Sequence, residues 1–159
     1  FTGNYSLVVK AVSGSGLFQL ASGLQTSKFI SITLLGFPIT FGTVDPNTAY
    51  APASGNANAS YVILIEPVTN ANIDLFQKGL DFIGPDDIIR IGNMSSATIN
   101  ATINATLVQN FYNSTKPTAI NLTPGSNATA YYWISIPNPR AGNYSSTISI
   151  KAVETGAAP

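Results

Sequence analysis

Hydrophobic and polar positions along this chain alternate with a period of two far more often than they repeat at helical spacing. The clearest run is Ala97 to Leu107. Ala97, Ile99, Ala101, Ile103, Ala105 and Leu107 take its odd positions; Thr98, Asn100, Thr102, Asn104 and Thr106 take the even ones. This alternation predicts a strand with one buried face. At ~3.3 Å per residue it sets Asn100 and Asn104 about 13 Å apart on the polar face. A second run, Tyr144 to Val153, puts Tyr144, Ser146, Ile148, Ile150 and Ala152 on one side. Further strands are expected at Lys28–Leu35, Phe37–Thr43, Tyr61–Glu66, Pro117–Leu122 and Thr129–Ile136. Tyr61-Val-Ile-Leu-Ile is apolar on both faces, which predicts a central strand. Ile73 to Phe82, with Asp74 near its start, reads as a short helix or 3₁₀ turn. Gly and Pro punctuate the gaps, as in Gly84-Pro85 and Pro124-Gly125. Short strands separated by turns predict an all-β chain folded as a β-sandwich.

The N-terminal segment Asn4–Val12 also alternates, with Tyr5, Leu7, Val9 and Ala11 on one side and Val8 and Val12 on the other. Ser13-Gly-Ser-Gly16 follows, a flexible-linker composition. Two readings are open. The segment is an ordinary first strand that a Gly-rich turn returns to a hairpin partner. Otherwise it is a donor strand that completes the sheet of a neighbouring subunit. Gly3-Asn-Tyr-Ser-Leu-Val-Val-Lys-Ala-Val12 is similar to Gly142-Asn-Tyr-Ser-Ser-Thr-Ile-Ser-Ile-Lys-Ala-Val153, which fits either shared strand chemistry alone or two segments that fill equivalent edge environments. The donor reading divides the chain into a donor strand at 1–12, a Gly/Ser linker at 13–16 and a sandwich body at 17–159. Tyr5, Leu7, Val9 and Ala11 are then the residues expected to face the acceptor groove.

Composition narrows the function. Of 159 residues, 7 are basic and 7 acidic, and only 9% are charged. Asn, Ser and Thr contribute 15, 16 and 16 residues in place of charge. The chain has no His and no Cys. That excludes Ser-His-Asp and Cys-His chemistry, thiolate redox centres and ordinary zinc sites. Zero net charge without a basic run excludes an electrostatic footprint for nucleic acid. No apolar run reaches the ~18 residues that span a bilayer; Phe29 to Phe41 is interrupted by Ser31, Thr33, Gly36, Pro38 and Thr40. The chain opens on Phe1 with no leader pattern, so a mature, exported chain is expected.

Nine Asn-x-Ser/Thr sequons support export: Asn4, Asn58, Asn93, Asn100, Asn104, Asn113, Asn121, Asn127 and Asn143. With 15 Asn and Ser or Thr at ~20% of positions, about three would arise by chance. Asn121 is expected to be the poorer acceptor because Pro124 follows its sequon. N-linked glycans are therefore the expected covalent additions, and no cofactor is expected. A surface of Asn, Ser, Thr and glycan keeps its character as pH changes, which suits an acidic extracellular setting.

Three constellations in the sequence bear on chemistry. Asp81, Asp86 and Asp87 form the one acidic cluster, but the spacing fits a Gly-Pro turn with a capping Asp better than a Ca²⁺ loop. Glu66 and Asp81 are a formal carboxylate pair that nothing in the sequence brings together. Tyr131 and Trp133 share a strand face and read as sandwich core rather than a sugar-stacking platform. No enzymatic activity is expected.

Tyr131-Tyr-Trp-Ile-Ser-Ile-Pro followed by Ala141-Gly-Asn-Tyr-Ser-Ser-Thr-Ile-Ser-Ile resembles the closing hairpin of surface Ig-like and pilin-like domains. Together with Asn4–Val12, Ser13–Gly16 and the dense sequons, it makes the whole chain resemble the subunit of the archaeal thread. This is a glycosylated surface filament of thermoacidophilic archaea of the Sulfolobus kind. The resemblance implies an Ig-like, pilin-like β-sandwich completed by the N-terminal donor strand of a neighbouring subunit. It implies a head-to-tail homopolymer of identical subunits, located outside the cell and serving adhesion to cell or abiotic surfaces, or biofilm formation. It also implies covalent isopeptide links between subunits, for which Lys10 is a conceivable amine with no assigned partner. The alternative is a self-contained secreted Ig-like adhesin or S-layer-associated binding module.

Overall fold

A computed structural model describes the backbone of residues 4–13 and 16–25 and the whole of residues 28–159. The strands in chain order are β1 (Asn4–Ser13), β2 (Gly16–Gln25), β3 (Ile32–Leu35), β4 (Ala51–Pro52), β5 (Val62–Ile65), β6 (Ile73–Gly79) and β7 (Phe82–Ile83). They continue with β8 (Ile88–Ile89), β9 (Met94–Ala97), β10 (Thr106–Leu107), β11 (Ala119–Leu122), β12 (Asn127–Thr129), β13 (Tyr131–Ile134) and β14 (Ile148–Glu154). Single 3₁₀ turns lie at Asn56–Asn58, Ile91–Asn93 and Thr102–Asn104, and no α-helix occurs among the described residues. All strand pairs are antiparallel. The chain is therefore all-β with several antiparallel sheets, as expected for a β-sandwich.

Three sheets form the body, in the orders β10-β9-β13-β4, β11-β6-β14 and β12-β5-β3, with a small β7-β8 ribbon. β12 and β13 are one extended run separated only at Ala130, whose N–H donates to the Tyr61 carbonyl at 2.8 Å. Backbone groups alternate between the two edges of a strand. Ala128, Ala130 and Tyr132 accordingly bond towards β5, Tyr61 and Ala53, while Tyr131 and Trp133 bond towards β9.

Two clusters make the core. Ile63, Ile65, Ile73, Leu75 and Ala128 form one. Tyr61, Tyr132, Met94, Val108 and their neighbours form the other, with Phe37 packed against it. There the Tyr61 and Tyr132 rings meet edge-on at 5.6 Å, a favourable aromatic geometry. Gly36 turns the chain into this cluster at φ +77°, and a Cβ there would sit 2.0 Å from the Ser60 carbonyl oxygen, so only glycine fits.

The closing strand and the central position of β5 agree with the sequence pattern: Ile148, Ile150 and Ala152 pack on the core, and β5 lies between β12 and β3. Three expectations are corrected. Ile73 to Phe82 is not helical. β6 is a central strand whose Ile73, Asp74, Leu75 and Phe76 are all buried, bonded to β11 on one edge and β14 on the other. Phe37–Thr43 forms no strand. Pro38 has no N–H to give, and Gly36 and Gly42 sit at positive φ on either side. Ala97 to Leu107 is not one strand. β9 ends at Ala97, the Thr102–Asn104 turn reverses the chain, and β10 folds back on β9 with Thr106 opposite Ser96. Its supposed core face is solvent-facing, with Ile99 60% and Ile103 91% exposed. Among the described residues Ile99 and Ile103 are left largely to solvent, and alternation without a partner surface does not hold a strand.

At the N-terminus, β1 bonds along its whole length to β2, with Asn4 opposite Gln25 and Ser13 opposite Gly16. Ser13 and Gly16, the ends of the segment expected as a linker, are therefore paired with each other, and the residues between them lie outside the described ones. Among the described residues this hairpin is a sheet of its own, hydrogen-bonded to no other strand.

Candidate functional site

The break after Ala97 opens the site. β9 pairs with β13 as far as Ala97 opposite Tyr131, and then leaves. Had the strand run on, it would have covered the outer edge of β12. Instead, among the described residues, β12 pairs only with β5 and β11 pairs only with β6. Their remaining edges border a groove of about 610 Å³ lined by Thr98, Pro117, Ile120, Leu122, Asn127 and Thr129. By the alternation above, the backbone groups of Asn127 and Thr129 point away from β5 and towards this groove. Ile120, at 64% exposed, supplies apolar surface on the β11 side. An open edge with apolar flanks is a template for one more strand.

Asp74 fixes the β11 wall. Its carboxylate is buried and accepts from Asn121 N at 2.8 Å, from the Thr155 hydroxyl at 3.1 Å and from Gly156 N at 3.1 Å. These bonds hold the irregular part of β11, where Asn121 takes φ +52°, and the chain after β14 against β6. Burial pushes the Asp74 pKa up, but the three hydrogen bonds outweigh it and leave the group below its ordinary value.

Asn58, Asn100, Asn104, Asn121, Asn127 and Asn143 are exposed, and Asn93 and Asn113 are half-buried. At Asn113 the side-chain oxygen accepts from Thr115 N at 3.0 Å and from the Thr115 hydroxyl at 2.8 Å, a local Asx turn within the sequon. Intact-mass measurement of the chain from its native host is expected to show several N-glycans. Peptide mapping should find them first at the exposed Asn58, Asn100, Asn104 and Asn143. A bare polypeptide mass would refute this.

The side chains of Asn4, Tyr5, Leu7, Val9, Lys10 and Ala11 lie outside the described residues, and so do the groove-facing and isopeptide assignments made for them. The acidic cluster is committed to turn structure. Asp81 accepts from Ile91 N and from Arg90 Nη1, both at 2.8 Å, and these bonds lower its pKa. Asp87 accepts from Ile88 N and Arg140 N. Among the described residues no group of three acidic side chains is placed to hold a metal ion. Tyr131 and Trp133 do stack, with centroids 6.4 Å apart, but Trp133 is only 4% exposed and offers no open platform. No helix among the described residues is long and apolar enough to cross a membrane.

The groove was not legible in the sequence, because it results from a strand that the alternation predicts and the fold omits. A hint lay in Ala101 and Ala105, which are small for the buried face of an eleven-residue strand. Comparison with known proteins gives no relative: no protein-family model, no curated protein and no solved structure matches the chain.

Proposed function

We propose that this chain is the structural subunit of an extracellular, N-glycosylated filament, assembled head to tail by strand donation. The observation that carries the proposal is the groove between β11 and β12, with two strand edges and apolar flanks turned towards one space. The N-terminal segment supplies the complementary part. Among the described residues β1 and β2 form a sheet hydrogen-bonded to no other strand. A lone two-stranded hairpin is marginal in water. By sequence this one is also rich in Leu, Val and Phe, from Leu7, Val8 and Val9 to Leu17, Phe18 and Leu20. Adding β1 of one copy to the open edge of the next satisfies backbone groups on both. Burying three of its aliphatic side chains contributes about 5–8 kcal/mol before ordering costs. Adhesion and biofilm formation are the roles such a glycan-coated polymer would serve.

The pairing of β1 with β2 within one chain favours a second reading, a self-contained adhesin or S-layer-associated module. Because the chain has no Cys, a clean cross-link separates the two. Chains carrying only Val9→Cys are mixed with chains carrying only Ile120→Cys and oxidised. Strand donation predicts a disulfide-linked heterodimer at high yield and at dilution. A mixture that stays monomeric, with the full chain also monomeric in sedimentation at high concentration, rules donation out in favour of the self-contained module.

A further inference from the structure

We propose that a second, polar cleft beside β9 and β10 is a binding site for a neutral pyranose sugar. The cleft has a volume of about 190 Å³ and adjoins the assembly groove, with Thr98, Pro117 and Thr118 lining both. Gln77, Ser96, Thr98, Thr106, Gln109 and Thr118 line it. These are amides and hydroxyls, the groups that pair with sugar hydroxyls as both donors and acceptors. No carboxylate lines the cleft, and Lys116 at its exposed margin is the one charge there.

Two buried atoms of residues that line the cleft lack partners among the described residues. Gln77 Nε2 donates to the Ser96 hydroxyl, which anchors the amide, yet Gln77 Oε1 is buried with no donor. Thr118 Oγ1 is likewise buried and unpartnered. A buried polar atom left unpaired costs more than a typical hydrogen bond returns, so such atoms mark a place where a ligand or water belongs. Phe111 and Leu107 stand exposed beside these groups and give the cleft an apolar edge. A pyranose has this pairing of chemistries, with hydroxyls around its rim and C–H groups on its face.

Two sources offer such a sugar. One is the chain's own glycan. Asn104 and Asn113 both line the cleft and both begin sequons, and Asn113 Nδ2 already donates to Gln109 Oε1 at 2.8 Å. The other is a glycan of a different molecule. The shared chemistry is a neutral hexose, and the cleft does not require the filament reading.

The test is a titration of the full chain, made without glycosylation, with glucose, mannose and N-acetylglucosamine. Glucuronate and glycerol are the comparison ligands. Binding is read on the backbone amide signals of Ser96 and Gln109. At least one neutral sugar should give a saturable shift with a dissociation constant in the millimolar range. Thr118→Val keeps the side-chain shape and should weaken that binding at least five-fold, and Gln77→Met should do the same. Trp133 fluorescence shows that both variants are folded. In the chain glycosylated by its native host, an absent response that Asn104→Gln or Asn113→Gln restores assigns the cleft to its own glycan. A response equal to that of the bare chain assigns it to a glycan from elsewhere. No saturable shift with any neutral sugar overturns the proposal. So does equal binding of glycerol or tighter binding of glucuronate, and so does a shift that Thr118→Val leaves unchanged.

Discussion

Replacing Asn56 with alanine is expected to lower the unfolding free energy by about 3 kcal/mol. Asn56 is 3% exposed and lies in the 3₁₀ turn between β4 and β5. Its Nδ2 donates to the Tyr132 carbonyl at 2.8 Å, and its Oδ1 accepts from Tyr132 N at 3.0 Å. The side-chain amide thus takes the part of a neighbouring strand at Tyr132, which lies in neither the β5 nor the β4 register. Alanine removes both bonds and leaves a buried N–H without an acceptor. The carbonyl is spared because Ala53 N also donates to it, at 2.9 Å. For a chain of this size the loss corresponds to a fall in melting temperature of about 6–12 °C, measurable by circular dichroism. Asn56→Asp keeps the acceptor but buries an unpaired carboxylate against the Tyr132 carbonyl, so at neutral pH its effect should be at least as large. A melt of Asn56→Ala within a degree or two of the parent would contradict this account of β13.

The second large effect is expected at Asp74 and depends on pH. The folded-state pKa of Asp74 lies below its ordinary value. Its contribution is therefore fully present above the unfolded pKa of ~3.9 and is lost as pH falls through the lower, folded value. Asp74→Asn is expected to cost about 2 kcal/mol at neutral pH, where charge-assisted bonds to Asn121 and Gly156 are exchanged for weaker ones. As the pH drops below about 4, the gap between parent and variant should close. Denaturant unfolding at a series of pH values measures it, and a gap that stays constant to pH 2 would show that ionised Asp74 is not the source. Because Asn121 lies in β11 between Ile120 and Leu122, which line the groove, the same substitution should also reduce cross-linking between Val9→Cys and Ile120→Cys chains.

The parts of the fold legible from sequence are those whose side-chain pattern meets a partner. Ile148, Ile150 and Ala152 show their period because β14 lies along β6 and presents one face to the core. Tyr131 and Trp133 share a face, apart from Tyr132, because β13 is held straight between β9 and β4. Two other segments failed for opposite reasons. Ala97 to Leu107 had the period but no surface to receive it. β6 had the surfaces but no visible period, because burial on both faces erases alternation. Asp74 added to the error. It looks like a helix cap in sequence, yet it caps backbone from Asn121 and Gly156, 47 and 82 residues away. Long-range bonds of this kind leave no local signal. The sequons were the reverse case: every described one is at least partly exposed, since the motif is local and asks only for access.

The continuous run from Asn127 to Ile134 has a mechanical consequence. Along one edge it is bonded to β5 and then to β4, and along the other to β9. Tension applied along that run is borne by hydrogen bonds to β5 over Asn127–Thr129 and by hydrogen bonds to β9 and β4 towards Ile134, all loaded in shear so that they must break together. Peeling a hairpin from its end breaks the same bonds one at a time and at far lower force. A molecule built around such a run resists stretching along it while still yielding where a strand can be peeled away.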